Sequence, residues 1–159
     1  MNREILFRAK SIQTGRWIFG YYFEDKDSKS YIGYMSKKRY IPDTLDWEKA
    51  EYYENNPTYN WVFVKEEVVT ETVGEYTGLT DKNGVKIFEG DIIRNIESDI
   101  KALVQFFSEH TAFMVWIHNE LFSINQVEYL GEMEMSEVEV IGNIYDNHEL
   151  IGEDGEQNG

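Results

Sequence analysis

Cysteine is absent from the 159 residues. That single absence excludes disulfides, thiolate zinc sites, iron–sulfur clusters and cysteine nucleophiles. No apolar run approaches the ~18 residues that span a bilayer. The amino terminus, beginning Met1-Asn2-Arg3-Glu4, has no continuous apolar stretch to serve as a signal sequence, so a cytoplasmic location is expected. There is no G-x-x-x-x-G-K-[ST] loop and no G-x-S-x-G elbow, which leaves nucleotide-hydrolase and serine-hydrolase readings without support. The three histidines, His110, His118 and His148, match no H-E-x-x-H spacing and read as loop residues, not metal ligands.

Positive charge is scarce. Fifteen Lys and Arg stand against 30 Asp and Glu, a net charge of −15. The imbalance is local: residues 1–75 carry 11 basic and 13 acidic side chains, residues 76–159 only 4 basic and 17 acidic. The second half therefore repels phosphate backbones at long range, which argues against a general nucleic-acid surface there. A solvated acidic surface that keeps the chain soluble is the simplest account of it.

What the sequence has in quantity is aromatic residues. They make up 15% of the chain, with 11 Tyr and 9 Phe against 2 Pro, and this enrichment favours half-buried strands over helices. Trp17 to Phe23, Tyr31 to Met35 and Trp61 to Val64 read as strands bounded by turn residues. Leu45 to Glu54, capped by Asp43 or Thr44, is the one plausible helix. In the second half Thr72 to Tyr76 looks extended, and Asn83-Gly84 supplies the positive φ values of a tight hairpin turn. Lys86 to Phe88, Ile92 to Arg94, Lys101 to Phe107, Ala112 to Ile117, Leu121 to Ile124 and Val138 to Gly142 follow as strands. Short strands at spacings of about ten residues suggest a small closed or nearly closed barrel. The fold expected is mainly β. Residues 1–70 would form an antiparallel β region with one short helix, docked on a barrel of residues 71–150, and residues 151–159 would be a disordered tail.

Three blocks of sequence carry a resemblance. The first is Phe7-Arg8-Ala9 with Trp17 downstream. The second runs from Thr72 through Gly74, Gly78, Asp81, Asn83 and Gly84 to Glu89-Gly90-Asp91-Ile92-Ile93. The third is Val140-Ile141-Gly142-Asn143-Ile144-Tyr145-Asp146-Asn147-His148-Glu149-Leu150. Together they resemble the YopX family of phage and prophage proteins, in the correct order over nearly the whole chain. The resemblance implies a mostly β protein with a carboxy-terminal barrel of the SH3 type, encoded by a phage, with self-association suggested and no assigned activity. It defines no catalytic residues to carry over. The chain departs from the pattern in a long segment, Lys37 to Thr58, and in His148, where proline is more usual.

Two clusters remain as candidates for binding. Asp81, Glu89 and Asp91 share a turn-rich segment and could hold magnesium for phosphodiester chemistry, since that ion takes oxygen ligands. The simpler reading makes them turn residues whose carboxylates accept backbone N–H groups. Lys37-Lys38-Arg39-Tyr40 is the one basic cluster and could touch phosphate while the ring stacks on a base; a polar loop is the simpler reading. Glu132-Met133-Glu134-Met135 and Glu137-Val138-Glu139-Val140 alternate with period two, as a half-buried strand with a solvated glutamate face does. A ridge of that kind could also imitate a nucleic-acid backbone. The leading expectation is a non-enzymatic accessory protein, without cofactor or metal, that binds a host or phage protein and self-associates. An acidic DNA mimic is the alternative, and a magnesium-dependent phosphodiesterase comes third.

Overall fold

The computed structural model describes residues 4–39, 55, 57, 59–119 and 124–152. The expected helix at Leu45–Glu54, Tyr40 of the basic cluster and residues 153–159 of the expected tail lie outside these. Eleven strands are present among the described residues. They are β1 (Phe7–Lys10), β2 (Trp17–Glu24), β3 (Ser30–Arg39), β4 (Tyr59–Glu67), β5 (Gly74–Thr80), β6 (Lys86–Phe88), β7 (Asp91–Asn95), β8 (Lys101–Phe107), β9 (Ala112–Asn119), β10 (Ile124–Tyr129) and β11 (Val138–Asn143). The protein is mainly β, with every ladder antiparallel.

The strands form two sheets. A six-stranded sheet has the order β4-β3-β2-β1-β5-β6, and a five-stranded sheet has the order β10-β9-β8-β7-β11. The first sheet thus combines four strands of the amino-terminal half with two from beyond residue 70. The second is open: its edge strands β10 and β11 are not paired with each other among the described residues.

Two apolar clusters form the core. Ala9, Ile32 and Val68 are buried together, with Phe7, Ile18, Tyr22, Tyr34 and Val73 packed around them. Register explains this set: Ala9 faces Ile18 and Tyr22 faces Ile32, and directly opposed residues share one face of a sheet. The larger cluster joins Ile87 of β6 to Ile93, Ala102, Val104, Val115, Leu130 and Val138, so it draws on both sheets.

Three sequence expectations are corrected. Residues 132–135 are not a strand. Two 3-10 turns, Leu130–Glu132 and Met135–Glu137, carry the chain from β10 at one edge of its sheet to β11 at the other. A crossing segment has no neighbouring strand to pair with, so it satisfies its own N–H groups by i→i+3 bonds, Met133 to Leu130 and Glu137 to Glu134. The alternation still sorts side chains, because Met133 and Met135 pack on the core while Glu132 and Glu134 stay exposed. The Asn83-Gly84 turn is wider than a two-residue hairpin. Only Gly84 has positive φ (+79°), whereas the tight turn needs it at both central residues. The Asp81 carboxylate accepts N–H groups from Asn83 and Val85, 2.8 and 2.9 Å away, and this holds the looser loop. Ile151, placed in the tail, instead ends a 3-10 turn, His148–Ile151.

Candidate functional site

The three blocks of the resemblance meet in space. Arg8 on β1 is buried, and its Nη2 lies 2.5 Å from Asp91 Oδ1 at the start of β7. The same nitrogen donates to the Glu89 carbonyl oxygen at 3.3 Å. The guanidinium sits over the Trp17 ring at 4.7 Å and the Phe88 ring at 5.0 Å. Such stacking suits arginine, whose flat, weakly hydrated head tolerates burial better than an ammonium. Trp17 in turn donates its indole N–H to Asp146 at 2.7 Å and tilts against Tyr145 at 5.9 Å. Lys10 pairs with Asp146 as well. Gly90 lies beneath Tyr145 with φ of +83°, and a Cβ there would stand 2.9 Å from the ring. One residue cluster therefore locks β1, β2, the β6–β7 turn and the closing segment together.

Electrostatics at this cluster follow from burial. Desolvation pushes the Asp91 carboxyl above its ordinary value, against the opposing pull of Arg8 and of the Phe88 N–H that it accepts at 2.7 Å. Glu89 is also pushed up, chiefly by burial, although it accepts the Phe106 N–H at 3.2 Å. Asp146 moves the other way, held down to about 2 by hydrogen bonds from Lys10, Trp17 and Asn143.

Asp81 is separate from that cluster. It is buried at the end of β5, and besides its own loop it accepts the Val140 N–H of β11 at 3.1 Å. Burial raises its pKa, but the N–H groups of Val140, Val85 and Asn83 outweigh this and leave it below the ordinary value. Asp81, Glu89 and Asp91 thus each hold backbone N–H groups of different strands. Among the described residues no group of three or more His, Asp or Glu side chains could hold a metal ion. Glu139, in the alternating run on β11, is flanked by Lys82 and Arg94 at 2.7 Å each, so it is not a bare negative charge.

Strand alternation divides the basic cluster. Lys37 pairs in register with Trp61, Lys38 with Asn60, and Arg39 with Tyr59. Lys37 therefore joins one face of the first sheet and Lys38 the other. The face that holds Lys37 is rich in exposed aromatic side chains. Arg8 opposite Phe19, Tyr21 opposite Gly33 opposite Lys65, and Met35 opposite Phe63 place all of these on it. Phe19, Tyr21, Met35, Tyr59, Trp61 and Phe63 are between 49% and 64% exposed. Isolated exposed apolar side chains are ordinary, whereas a contiguous set on one face marks an interaction site. Lys37 lies over the Trp61 ring at 5.2 Å and Lys65 over the Tyr31 ring at 4.7 Å. The Phe63 ring covers Gly33, whose missing side chain leaves it room. Sequence reasoning singled out Lys37 but passed over Tyr21, Met35, Trp61 and Phe63. The period-two spacing of Tyr59, Trp61 and Phe63 carried the signal. Val62 and Val64 between them masked it, because the run reads as a strand apolar on both faces.

No helix among the described residues is long and apolar enough to cross a membrane. No curated protein matches the chain significantly. The sequence matches the family described as YopX protein over residues 6–152, a span that contains both sheets, the Arg8–Asp91 cluster and the aromatic face. The chain belongs to the YopX protein family.

Proposed function

We propose that this protein is a non-enzymatic phage accessory protein that binds another protein through the aromatic face of β2, β3 and β4. The observation that carries this reading is the exposure of Tyr21, Met35, Trp61 and Phe63 on one sheet face. Such a patch is costly to leave in water and gains when a partner covers it. The roles of Asp81, Glu89 and Asp91 in holding backbone N–H groups agree with a chain that does no chemistry at those positions. The pairing of Glu139 with Lys82 and Arg94 weakens the alternative, a negative ridge that imitates DNA.

On this reading residues 71–150 act as an SH3-type barrel on which residues 1–70 dock. Its support is the packing of Leu79 and Ile87 over Ile93, Val104 and Val138, and the Lys82 N–H bonded to the Val138 carbonyl at 2.9 Å. The protein works in the cytoplasm of the bacterial host, and self-association belongs to the same reading. The test is co-purification from phage-carrying cells with nuclease present, comparing the unaltered chain with Tyr21→Ser/Trp61→Ser. A protein retained by the first and lost by the second supports the reading. Equal recovery by both removes the face from it, and loss of every partner on nuclease treatment turns it toward nucleic acid. Light scattering that shows a strict monomer removes the self-association.

A further inference from the structure

Among the described residues β4 ends the strand order of the six-stranded sheet and ladders to β3, and on its other side only its last residue is engaged, the Glu67 carbonyl accepting the Ile12 N–H at 3.1 Å. At nine residues it is much longer than β6 at the opposite edge, which has three. Exposed edges are usually blunted by proline, by bulges or by charges along their length. β4 has no proline, and its register with β3 is unbroken from Tyr59 to Glu67. Its charges, Lys65, Glu66 and Glu67, all lie at one end, so Tyr59 to Val64 is an uncharged edge.

Beside that edge lies an unbalanced positive charge. Lys65 is exposed and rests on Tyr31, and Lys37 rests on Trp61. Among the described residues neither lysine is in an ion pair, whereas Lys10, Lys29, Lys82 and Lys86 are all paired with carboxylates. A neighbouring strand would set a side chain directly opposite Lys65 on this face, and a carboxylate there would be favourable.

We infer that the edge of β4 from Tyr59 to Lys65 takes up an extended segment of a partner protein as a seventh strand, with apolar side chains beside Trp61 and Phe63 and a carboxylate opposite Lys65. This rests on the reading of the aromatic face as the interaction surface, and it names the form of the partner. Backbone hydrogen bonds to the edge give the affinity, and alternate side chains give the selectivity. A single-stranded nucleic acid fits less well. The ring faces of Trp61 and Tyr31 are already capped by lysines, and the net charge of −15, concentrated in residues 76–159, opposes the approach of a polyanion. A mostly apolar strand with one carboxylate avoids that repulsion. A second copy brings the same −15.

The experiment is selection of random twelve-residue peptides on the immobilised full chain, followed by affinity measurement with the enriched peptides made synthetically. The expected result is an alternating apolar pattern containing one Asp or Glu. Lys65→Glu should weaken these peptides about fivefold, and selection on that variant should replace the acid with Lys or Arg. Methylating alternate backbone nitrogens of the peptide should abolish binding, since strand pairing needs those donors. No enrichment, indifference to Lys65→Glu, or full binding by the methylated peptide overturns strand addition. So does binding of a twenty-residue oligothymidylate at the same face, or sedimentation showing a dimer that Trp61→Ser dissolves. If Tyr21→Ser/Trp61→Ser still loses its partner in cells while no peptide binds, the interaction reading stands and strand addition alone fails.

Discussion

Arg8 and Asp91 tie the two sheets together, one from β1 of the six-stranded sheet and the other from β7 of the five-stranded one, with 2.5 Å between Nη2 and Oδ1. Both residues are buried, and Arg8 Nε has no acceptor among the described residues. Desolvation sets the cost of such a pair, so the loss of one member matters more than the loss of both.

Arg8→Met should therefore destabilise the fold by roughly 3–5 kcal/mol, because it leaves a buried carboxylate without its counter-charge. The double change Arg8→Met/Asp91→Asn should be milder than Arg8→Met alone. Asparagine is neutral and can still accept the Phe88 N–H that Asp91 holds. Urea unfolding of the three proteins checks the order. In Arg8→Met the Asp91 pKa rises further, so that variant should recover stability as pH is lowered.

Asp146 gives a pH dependence of opposite sign. Its pKa falls from an ordinary 3.8 to about 2 in the folded chain, through Lys10, Trp17 and Asn143. A depressed carboxylate contributes stability that is complete above its unfolded value and is lost as pH falls through its folded one. The melting temperature should drop between about pH 4 and about pH 2, and the drop should be smaller in Asp146→Asn. An identical profile for the two proteins would show that the Lys10–Trp17–Asp146 contact contributes nothing.

Asp81→Ala removes an acceptor used by three N–H groups, those of Asn83, Val85 and Val140. The cost should be roughly 1–3 kcal/mol, since the site is buried and the freed donors include one on β11. Hydrogen exchange at Val140 should quicken while the strands β2 to β4 keep their protection. Unchanged stability would show that these three hydrogen bonds contribute nothing to the fold.

Gly90→Ala should destabilise on two counts. The backbone there has φ of +83°, and the added methyl carbon would lie 2.9 Å from Tyr145. The left-handed conformation alone costs about 1–2 kcal/mol for a residue with a Cβ. Thermal unfolding measures the sum, which should exceed that of Gly84→Ala, where φ is +79° but nothing lies within 4 Å of the new atom.

Trp61→Ser should behave unlike any of these. The residue is 62% exposed and belongs to neither apolar cluster, so stability should change by less than about 0.5 kcal/mol. Binding of an apolar dye should fall, because the patch loses its largest member. A large loss of stability would mean that Trp61 packs within the fold.

The sequence by itself determined which segments become strands and where the chain turns, because alternation, aromatic content and turn residues act locally. Lys101–Phe107 and Lys86–Phe88 were legible residue for residue. Local pattern did not separate a strand from a crossing segment at 132–135, since both sort alternate side chains to opposite sides. It also could not show that Arg8, Trp17, Asp91 and Asp146 meet, for these lie as much as 129 residues apart in contact. Their attraction exists only after the sheets form. The aromatic face had the same limit. Trp61, Phe63, Tyr21 and Met35 read as core material in any strand, and only the tertiary structure decided which face of the sheet found a covering layer and which was left to water. Apolar residues specify burial, but burial depends on what packs above them, and that is fixed by the arrangement of the whole chain.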